Sequence, residues 1–311
     1  MKIIAAIDIG TNSMRFMLCE VKGNSIVKKT KELIITRIGK DISKTGIITE
    51  KSLIRNIDAL KYFKNKADRY GAREIYAIAT SAVREALNGE VFVSDALIHA
   101  GVDVKVISGE EEAELGLKGV TGEIQNPKEN VLVIDVGGGS TELILGSKEK
   151  VDYSVSISAG AVRMTEQFIT NNPIGNEDVL EMKSRLRELF MKPLEHLNKK
   201  RIDRIFAIGG TATTTAAMFH GLSIYNPETV HNTVISLCFI SDIFTRLKGM
   251  SLHERWNVKG LQKERADVMP AGLYILQHVL ESLKKDSLVI SENDNLEGIV
   301  EKYAMGKNGN R

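Results

Sequence analysis

Residues 7–18 read IDIGTNSMRFML, and they align without a gap with residues 134–145, which read IDVGGGSTELIL. Isoleucine, aspartate, glycine, serine and the final leucine occupy equivalent positions in the two copies. Each copy predicts a buried strand that ends in Asp, a tight polar turn and a second apolar strand, which together form a β-hairpin. Two unrelated hairpins would also use Asp, Gly, Asn and Ser in their turns. The match in register favours two similar domains, each of which offers a phosphate-binding loop.

Strand-like and helical patterns alternate along the rest of the chain. The clearest helix begins after the cap residue Thr49 and ends before Gly71, and another covers about residues 177–197. This alternation predicts an α/β protein. The strand-like runs are residues 3–9, 16–22, 75–79, 104–107, 131–136, 142–145, 205–208 and 288–290.

The composition is that of an ordinary globular protein. The 311 residues include 42 Lys and Arg against 40 Asp and Glu, and 43% of them are hydrophobic. These values exclude a disordered tail, a collagen-like fibre and a coiled-coil rod. The formal net charge of +2 argues against general binding to nucleic acid, which usually shows a basic domain or stripe. Any anion that the protein binds must therefore be held by a local site.

Cysteine content and hydropathy predict a cytoplasmic protein. Cys19 and Cys238 form neither a disulfide framework nor a CxxC pair, which suits a reducing compartment. The N-terminal residues have only a short apolar run before Asp8 and no cleavage site of a signal peptide. Residues 205–227 carry no charge, but their glycines and threonines leave too little apolar surface for a membrane span. We therefore expect no association with a membrane.

The two hairpin tips have the chemistry of phosphate loops. Glycines let backbone amides approach an oxyanion closely, and hydroxyl or amide side chains add further donors. Asp8 and Asp135 lie where a Mg²⁺ ion that bridges phosphate oxygens would need a carboxylate. A GxxxxGK[ST] loop, a GxGxxG fingerprint and a nucleophile elbow are absent from the sequence. The candidate phosphate ligands are Thr11, Asn12, Ser13, Gly137, Gly138, Gly139, Ser140 and Thr141.

A third glycine turn, formed by Gly209, Gly210 and Thr211, follows another strand and opens a helix. Backbone amides at a helix N-terminus favour an anion, which makes this turn a further candidate for phosphate binding. Close packing of the strand against the helix would explain the same glycines. The sequence of this turn fits both interpretations.

Six segments stand out in order along the chain: residues 8–15 (DIGTNSMR), 79–86 (ATSAVREA), 107–113 (ISGEEEA), 135–142 (DVGGGSTE), 159–163 (AGAVR) and 208–211 (IGGT). Together they resemble the exopolyphosphatase and guanosine pentaphosphate phosphohydrolase (Ppx/GppA) family. The resemblance covers nearly the whole chain, and it is more specific for the family than for the substrate. It implies an α/β fold of the actin, Hsp70 and sugar kinase superfamily, with two ribonuclease H-like domains and an interdomain cleft that holds the active site.

We place the N-terminal domain at residues 1–125 and the C-terminal domain at residues 126–295, with the boundary in the polar stretch 123–130. The resemblance implies that a last helix, residues 296–306, packs back on the first domain. Many longer relatives carry an additional C-terminal helical domain of the HD type, for which the sequence up to Arg311 leaves no room. The resemblance therefore does not extend to long-chain processivity or to a channel that spans a dimer.

One segment departs from the family pattern. Relatives commonly show Ser-Asp-x-Gly-Leu-Arg-Glu-Gly near the end of the core, whereas residues 291–298 read SENDNLEG and lack the arginine. If this turn contributes to enclosure of the substrate, the specificity of this protein differs from that of its relatives.

The resemblance assigns the catalytic carboxylate to Glu112, with the role of general base toward water. Without the resemblance, the acidic residues 110–114 would suit a solvated helix start. Arg84 carries a guanidinium that can clamp a phosphate, or it pairs with Glu85 or a helix end. Arg15 either reaches the site or faces solvent. Glu142 either binds a metal through water or merely begins a strand.

Together these features predict a metal-dependent phosphoanhydride hydrolase. The favoured activity is that of an exopolyphosphatase, which releases orthophosphate from the end of inorganic polyphosphate with Mg²⁺ or another divalent cation. Guanosine pentaphosphate 5′-phosphohydrolase is the nearest alternative, and the same residues could serve both reactions. A small-molecule kinase and a nucleotide-dependent scaffold of the same superfamily are less favoured. We expect a monomer or a homodimer.

Overall fold

The computed structural model of the chain describes residues 1–23, 25–122 and 124–305. The chain folds as two units: Met1–Gly119 together with the residues from Asn295 onward, and Val120–Asp294. The division falls inside a helix, whereas the sequence placed it in the polar stretch 123–130, of which Glu123 lies outside the described residues. Each unit is built around one mixed sheet.

The sheet of the first unit has the strand order β3-β2-β1-β4-β5. Strands β1, β2 and β3 are antiparallel, and β4 and β5 run parallel to β1. Strand β1 is apolar along almost its whole length because both faces of the sheet are covered. The strands are β1 (Lys2–Ile9), β2 (Met14–Lys22), β3 (Ser25–Ile34), β4 (Glu74–Ala79) and β5 (Val104–Val106).

Five helices of the first unit follow or connect these strands. The predicted cap at Thr49 is confirmed, since its side chain accepts a hydrogen bond from the Ser52 amide at the start of the second helix. This helix buries Ile57, Leu60 and Phe63 against one face of the sheet. The helices are α1 (Ile42–Thr45), α2 (Glu50–Arg69), α3 (Ser81–Glu85), α4 (Gly89–Ala100) and α5 (Gly109–Thr121).

The sheet of the second unit has the order β10-β11-β9-β6-β7-β8. Strands β8, β7, β6, β9 and β11 repeat the order and directions of the first sheet, and β10 adds an antiparallel edge. The repeat found in the sequence is therefore a repeat of ribonuclease H-like folds. The strands are β6 (Val131–Val136), β7 (Thr141–Gly146), β8 (Val151–Ile157), β9 (Arg204–Ile208), β10 (Val234–Ser236) and β11 (Ser287–Ile290).

Helices of the second unit surround a single large apolar core. The long predicted helix begins at Asn176 and ends at Leu197, within one residue of its predicted bounds. The helices are α6 (Ala161–Phe168), α7 (Asn176–Leu197), α8 (Gly209–Phe219), α9 (Pro227–Val230), α10 (Leu237–Lys248), α11 (Leu252–Arg255) and α12 (Met269–Ser282), with a 3₁₀ turn at Lys263–Arg265. Across residues 1–23, 25–122 and 124–305, none of the helices is long and apolar enough to cross a membrane.

Three strands were not predicted. Strand β3 carries four charged residues within Lys28–Glu32 and lies at the edge of its sheet, where charged side chains are common because one side faces solvent. Strand β8 is half exposed and alternates weakly, and β10 has only three residues. These three edge strands lack the continuous apolar pattern of the central strands.

The chain returns to the first unit after β11. Helix α13 (Asn295–Ile299) continues into a π-helix (Val300–Met305), and Leu296, Ile299 and Val300 pack on the face of the first sheet that carries Ile4 and Met17. We call residues 295–305 the return segment; Gly306 of the predicted helix lies outside the described residues. The buried Glu297 carboxylate binds the ammonium groups of Lys29 and Lys31 on β3, at 2.6 and 2.8 Å.

Candidate active site

The sequence-predicted site residues lie at one edge of each sheet. In the first unit they follow β1, β4 and β5, and in the second they follow β6 and β9. Loops at the carboxyl ends of parallel strands are the usual place for ligands in such sheets. The topology therefore gathers residues that are far apart in sequence.

The two hairpin tips have the same backbone geometry. The Gly10 amide donates to the Ser13 carbonyl at 3.0 Å, and the Gly137 amide donates to the Ser140 carbonyl at the same distance. In the first tip, Asn12 is 6% exposed, and neither atom of its amide group has a hydrogen-bond partner among the described residues. Buried polar atoms without partners are costly, so this amide is poised for a ligand.

A second segment of the first unit lies beside this tip. The Thr11 hydroxyl is 3.0 Å from the hydroxyl of Ser81, the first residue of helix α3. Both residues are buried. Ser81 was not among the predicted ligands, although it belongs to the segment 79–86 that the sequence singled out.

Arg84 and Glu112 form an ion pair. A guanidinium nitrogen of Arg84 lies 3.2 Å from the Glu112 carboxylate, and the same nitrogen donates to the Ile107 carbonyl at 2.8 Å. The side chain of Glu112 is 8% exposed and that of Arg84 is 25% exposed. The predicted base and the predicted phosphate clamp thus lie together, next to the loop that follows β5.

The other acids of helix α5 face different surroundings. Glu110 is exposed, whereas Glu111 and Glu114 bind Lys302 of the return segment. Burial alone would raise the pKa of Glu111, but hydrogen bonds from Lys105, Tyr303 and Lys302 lower it to about 2. Glu112 is therefore the buried acid of this turn whose partner is Arg84.

The second hairpin tip is held by the start of helix α6. The amides of Ala161, Val162 and Arg163 donate to the carbonyls of Gly137 and Gly138 at 2.8 to 3.0 Å. The Arg163 side chain donates to the Gly139 carbonyl at 2.8 Å. With the carbonyls bound on this side, the loop is fixed in a conformation in which its amides can serve an anion.

The hydroxyl groups of two predicted phosphate ligands donate to backbone carbonyls of the same unit. Thr141 donates to the Ala159 carbonyl, and Thr211 donates to the Val136 carbonyl at 3.2 Å. Both are buried, as is Ser140. The two threonines fasten the loops to each other, a role that the turn sequence alone did not distinguish from ligand binding.

The third glycine turn lies against charged groups. Gly209 has a φ of 79°, and its α-carbon faces the Asp135 carboxylate so closely that a side chain would collide with it. The guanidinium of Arg265 covers Gly210 in the same way. Arg265 is buried and was not predicted, because it lies 55 positions beyond the glycine turn in a segment with no recognised motif.

Acidic residues differ between the two hairpins. Asp8 pairs with Arg15 across β1 and β2, and its other oxygen has no partner among the described residues. At the equivalent position Asp135 is opposite Glu142, and both carboxylates are buried. Directly opposed side chains lie on one face with Cβ atoms about 5 Å apart, so two like charges meet there.

This carboxylate pair fits a divalent cation. Within the described parts of the chain, no cluster of three or more His, Cys, Asp or Glu side chains could hold a metal ion. Magnesium commonly uses one or two carboxylates and completes its octahedron with water and phosphate oxygens. The two acids are thus a suitable partial ligand set that needs the substrate.

Comparison with known proteins identifies the family of the chain. Residues 19–304 match the Ppx/GppA phosphatase family. The chain belongs to the Ppx/GppA phosphatase family. Membership of this family, with an exopolyphosphatase among the relatives, identifies it as a phosphoanhydride hydrolase.

Individual Ppx/GppA relatives match over nearly the whole chain. The bifunctional 3-dehydroquinate synthase/phosphatase of Fusobacterium nucleatum is 34% identical over 95% of this chain, which spans 46% of that protein. Exopolyphosphatase 2 of Mycobacterium tuberculosis is 30% identical over 95% of this chain and 97% of its own length. The crystal structure of the Aquifex aeolicus member of the family has a TM-score of 0.81 at 31% identity and covers 99% of both chains. The predicted family and fold are confirmed.

Proposed function

We propose that this protein is an exopolyphosphatase that hydrolyses the terminal phosphoanhydride of inorganic polyphosphate and releases orthophosphate. The observation that carries the proposal is the part-buried ion pair of Arg84 and Glu112, in which a guanidinium nitrogen lies 3.2 Å from the carboxylate. The similarity to Exopolyphosphatase 2 over nearly its full length supports this substrate.

In the proposed reaction, Glu112 accepts a proton from water as the water oxygen attacks the terminal phosphorus. The bridging P–O bond breaks, its electrons stay on the shortened chain, and orthophosphate leaves. Arg84 would bind an oxygen of the terminal phosphate, and in doing so it would release its contact with Glu112. The carboxylate would then be free to orient the water.

The remaining loops would bind the chain of phosphates. In the first unit, the unpartnered amide of Asn12 and the hydroxyls of Thr11 and Ser13 are proposed to donate to phosphate oxygens. In the second unit, the backbone amides of Gly138, Gly139 and Gly210 would do the same. Arg15 serves instead to neutralise Asp8.

Asp135 and Glu142 are proposed to hold Mg²⁺, which when bound would spread the negative charge of the phosphate oxygens. Asp8 would add a ligand only if its ion pair with Arg15 opened. The two acids of the second hairpin therefore form the principal metal ligands of the proposal.

The decisive experiment is the substitution Glu112→Gln, which keeps the shape of the side chain and removes its basicity. We expect orthophosphate release from polyphosphate to fall at least about 100-fold, the range for a lost general base, while binding of the polymer is retained. Glu110→Gln, on the same turn but exposed, is the matched control and should remain active. Turnover by Glu112→Gln at the level of this control would refute the assignment.

A cavity in the second unit favours guanosine pentaphosphate as a second candidate substrate. The cavity has a volume of about 310 Å³, and its described lining includes Tyr225, Trp256, Lys259 and Lys263 but no acidic side chain. Gln262 of the same lining accepts a hydrogen bond at 3.2 Å from Arg265, whose guanidinium covers Gly210. An aromatic base would fill such a cavity near the glycine turn, whereas polyphosphate has no group for it.

Phosphate release should be measured side by side on long polyphosphate, short polyphosphate and guanosine pentaphosphate. If the nucleotide is a substrate, Trp256→Ala should raise its KM at least about fivefold, since stacking on an aromatic contributes about 1 to 3 kcal/mol. The KM for polyphosphate should not change. Equal effects on both substrates would show that the cavity does not bind the base of the nucleotide.

A further inference from the structure

The return segment binds the turn of helix α5 that carries Glu112. Lys302 lies 3.1 Å from the carboxylate of Glu111 and 2.7 Å from that of Glu114. The Tyr303 hydroxyl donates to Glu111 at 2.6 Å, and Lys105 of β5 joins the same carboxylate at 2.8 Å. Glu111 and Glu114 lie one residue before and two residues after Glu112, and they bind residues from elsewhere in the unit.

Apolar and backbone contacts hold the same helix. Gly298 lies so close to the backbone of Leu115 that a side chain at this position would collide with it. Leu115 itself is fully buried in the cluster that contains Leu296 and Ile299. Because helix backbone and packed side chains move together, the position of the first turn of α5 depends on the return segment.

Oppositely charged groups meet in this contact. Two acids, Glu111 and Glu114, bind three ammonium groups, those of Lys105, Lys118 and Lys302. The low pKa of Glu111 keeps its carboxylate ionised, so the contact persists at neutral pH. The Tyr303 ring adds a stacked contact with Tyr76 of β4, with ring centroids 6.0 Å apart. Strands β4 and β5 precede helices α3 and α5, which carry Arg84 and Glu112.

We infer that Lys302 and Tyr303 are positioning residues, which hold helix α5 so that Glu112 faces Arg84 and the attacking water. The inference rests on the proposed function of Glu112 as the base. It assigns the return segment a role in the chemical step as well as in the stability of the first unit. Displacing a catalytic group by about 1 Å can lower a rate about 100-fold, so loosening this contact should lower kcat.

The test is the substitution Lys302→Met, with Lys31→Met as a matched control. Both lysines are similarly exposed, at 24% and 21%, and both bind acids that keep a second lysine partner. Both variants weaken the attachment of the return segment, but only Lys302 contacts α5. We expect Lys302→Met to lower kcat for orthophosphate release about tenfold with KM changed less than twofold. Lys31→Met should keep the wild-type kcat.

Two further variants complete the test. Lys302→Arg keeps the charge and should restore most of kcat, whereas Tyr303→Phe removes one hydrogen bond to Glu111 and should lower kcat about threefold. Melting temperatures of all variants show how much each substitution destabilises the fold. The inference would be overturned if Lys302→Met and Lys31→Met lost kcat equally, in proportion to their loss of melting temperature. An unchanged kcat in Lys302→Met would overturn it as well.

Failure of the inference can be distinguished from failure of the proposed function. If Glu112→Gln is inactive while Lys302→Met is fully active, only the positioning role is wrong. If Glu112→Gln is fully active, or the wild-type protein releases no orthophosphate from polyphosphate or guanosine pentaphosphate, the proposed base or activity is wrong instead.

Discussion

The two β-hairpins share a backbone and differ in charge. Both begin with an apolar strand whose penultimate residue is Asp, and both turn through a Gly amide bonded to a Ser carbonyl. Opposite the Asp, the first hairpin has Arg15 and the second has Glu142. The first carboxylate is therefore neutralised within its own hairpin, whereas the second shares its face with another acid.

One fold repeated within a chain can thus acquire two roles. An internal ion pair leaves the first tip suited to hydrogen bonding through Thr11 and Asn12. A pair of acids gives the second tip an affinity for a cation. Equivalent substitutions in the two hairpins should therefore have different effects.

Removal of the cation in the first hairpin should have the largest effect on stability. Arg15→Met leaves the buried Asp8 without its partner, and breaking such a pair costs about 3 kcal/mol. Urea unfolding measures this loss. The double variant Asp8→Asn with Arg15→Met should recover at least half of it, because no buried charge remains. A loss below about 0.5 kcal/mol in Arg15→Met would show that the pair does not neutralise Asp8.

In the second hairpin, Asp135→Asn should lower orthophosphate release about 100-fold at a fixed Mg²⁺ concentration, the upper range for altered metal sites. The Mg²⁺ concentration needed for half-maximal activity should rise in parallel. Asp8→Asn at the equivalent position should change this concentration less than fourfold, because Arg15 already neutralises that carboxylate. Equal shifts in the two variants would contradict the division of roles.

Each tip is backed by a glycine, and the two should differ in tolerance. A Cβ at Gly160 would collide with the backbone of Gly138 and Gly139, whereas one at Gly39 would meet the methyl group of Thr11. We expect Gly160→Ala to destabilise the protein by about 2 kcal/mol, within the usual range for overpacking, and Gly39→Ala by about 1 kcal/mol.

The variant Thr11→Ser provides the control for the first tip. It removes the methyl group, so Thr11→Ser with Gly39→Ala should unfold at nearly the wild-type urea concentration. An equal loss in this double variant and in Gly39→Ala would show that the backbone, and not the methyl group, is the obstacle in the first tip as well.

Acid should weaken the first unit through Glu111, the smallest of the expected effects. The pKa of Glu111 in the folded protein is about 2, below the ordinary value of 4.5, so its stabilising contribution is present above about pH 4.5 and is lost as the pH falls toward 2. Glu111→Gln should therefore lower the free energy of unfolding by about 1 kcal/mol at pH 7, allowing for solvent screening, and hardly at all near pH 2. Glu110→Gln, on the same turn, should change it little at either pH.

Much of the fold follows from local sequence patterns. The central strands are apolar along their whole length, and the Asp-Gly turn chemistry reveals the hairpins and their repeat. The edge strand β3 was not predicted, because lysines and a glutamate interrupt its apolar residues. The π-helix at residues 300–305 could not be predicted, since its hydrogen bonding depends on packing against the first sheet.

The site is less accessible to prediction because tertiary contacts create it. Glu112 and Arg84 were named from family resemblance, but their ion pair requires the neighbouring loops after β4 and β5. Arg265 reaches Gly210 from a segment without a motif, and Thr141 and Thr211 differ from the other turn residues only in which carbonyls lie near them. Residue types indicate the candidate site residues, whereas the packing of the loops decides their roles.

The return segment also bears on the order in which the protein is completed during synthesis. Residues 295–305 cover the apolar face formed by Ile4, Met17 and Ile78, and they are made after the whole of the second unit. A ribosome-bound chain can therefore bury the core of the second unit while this face of the first sheet is still open to water. Nascent chains halted before residue 295 should be the ones most in need of a chaperone.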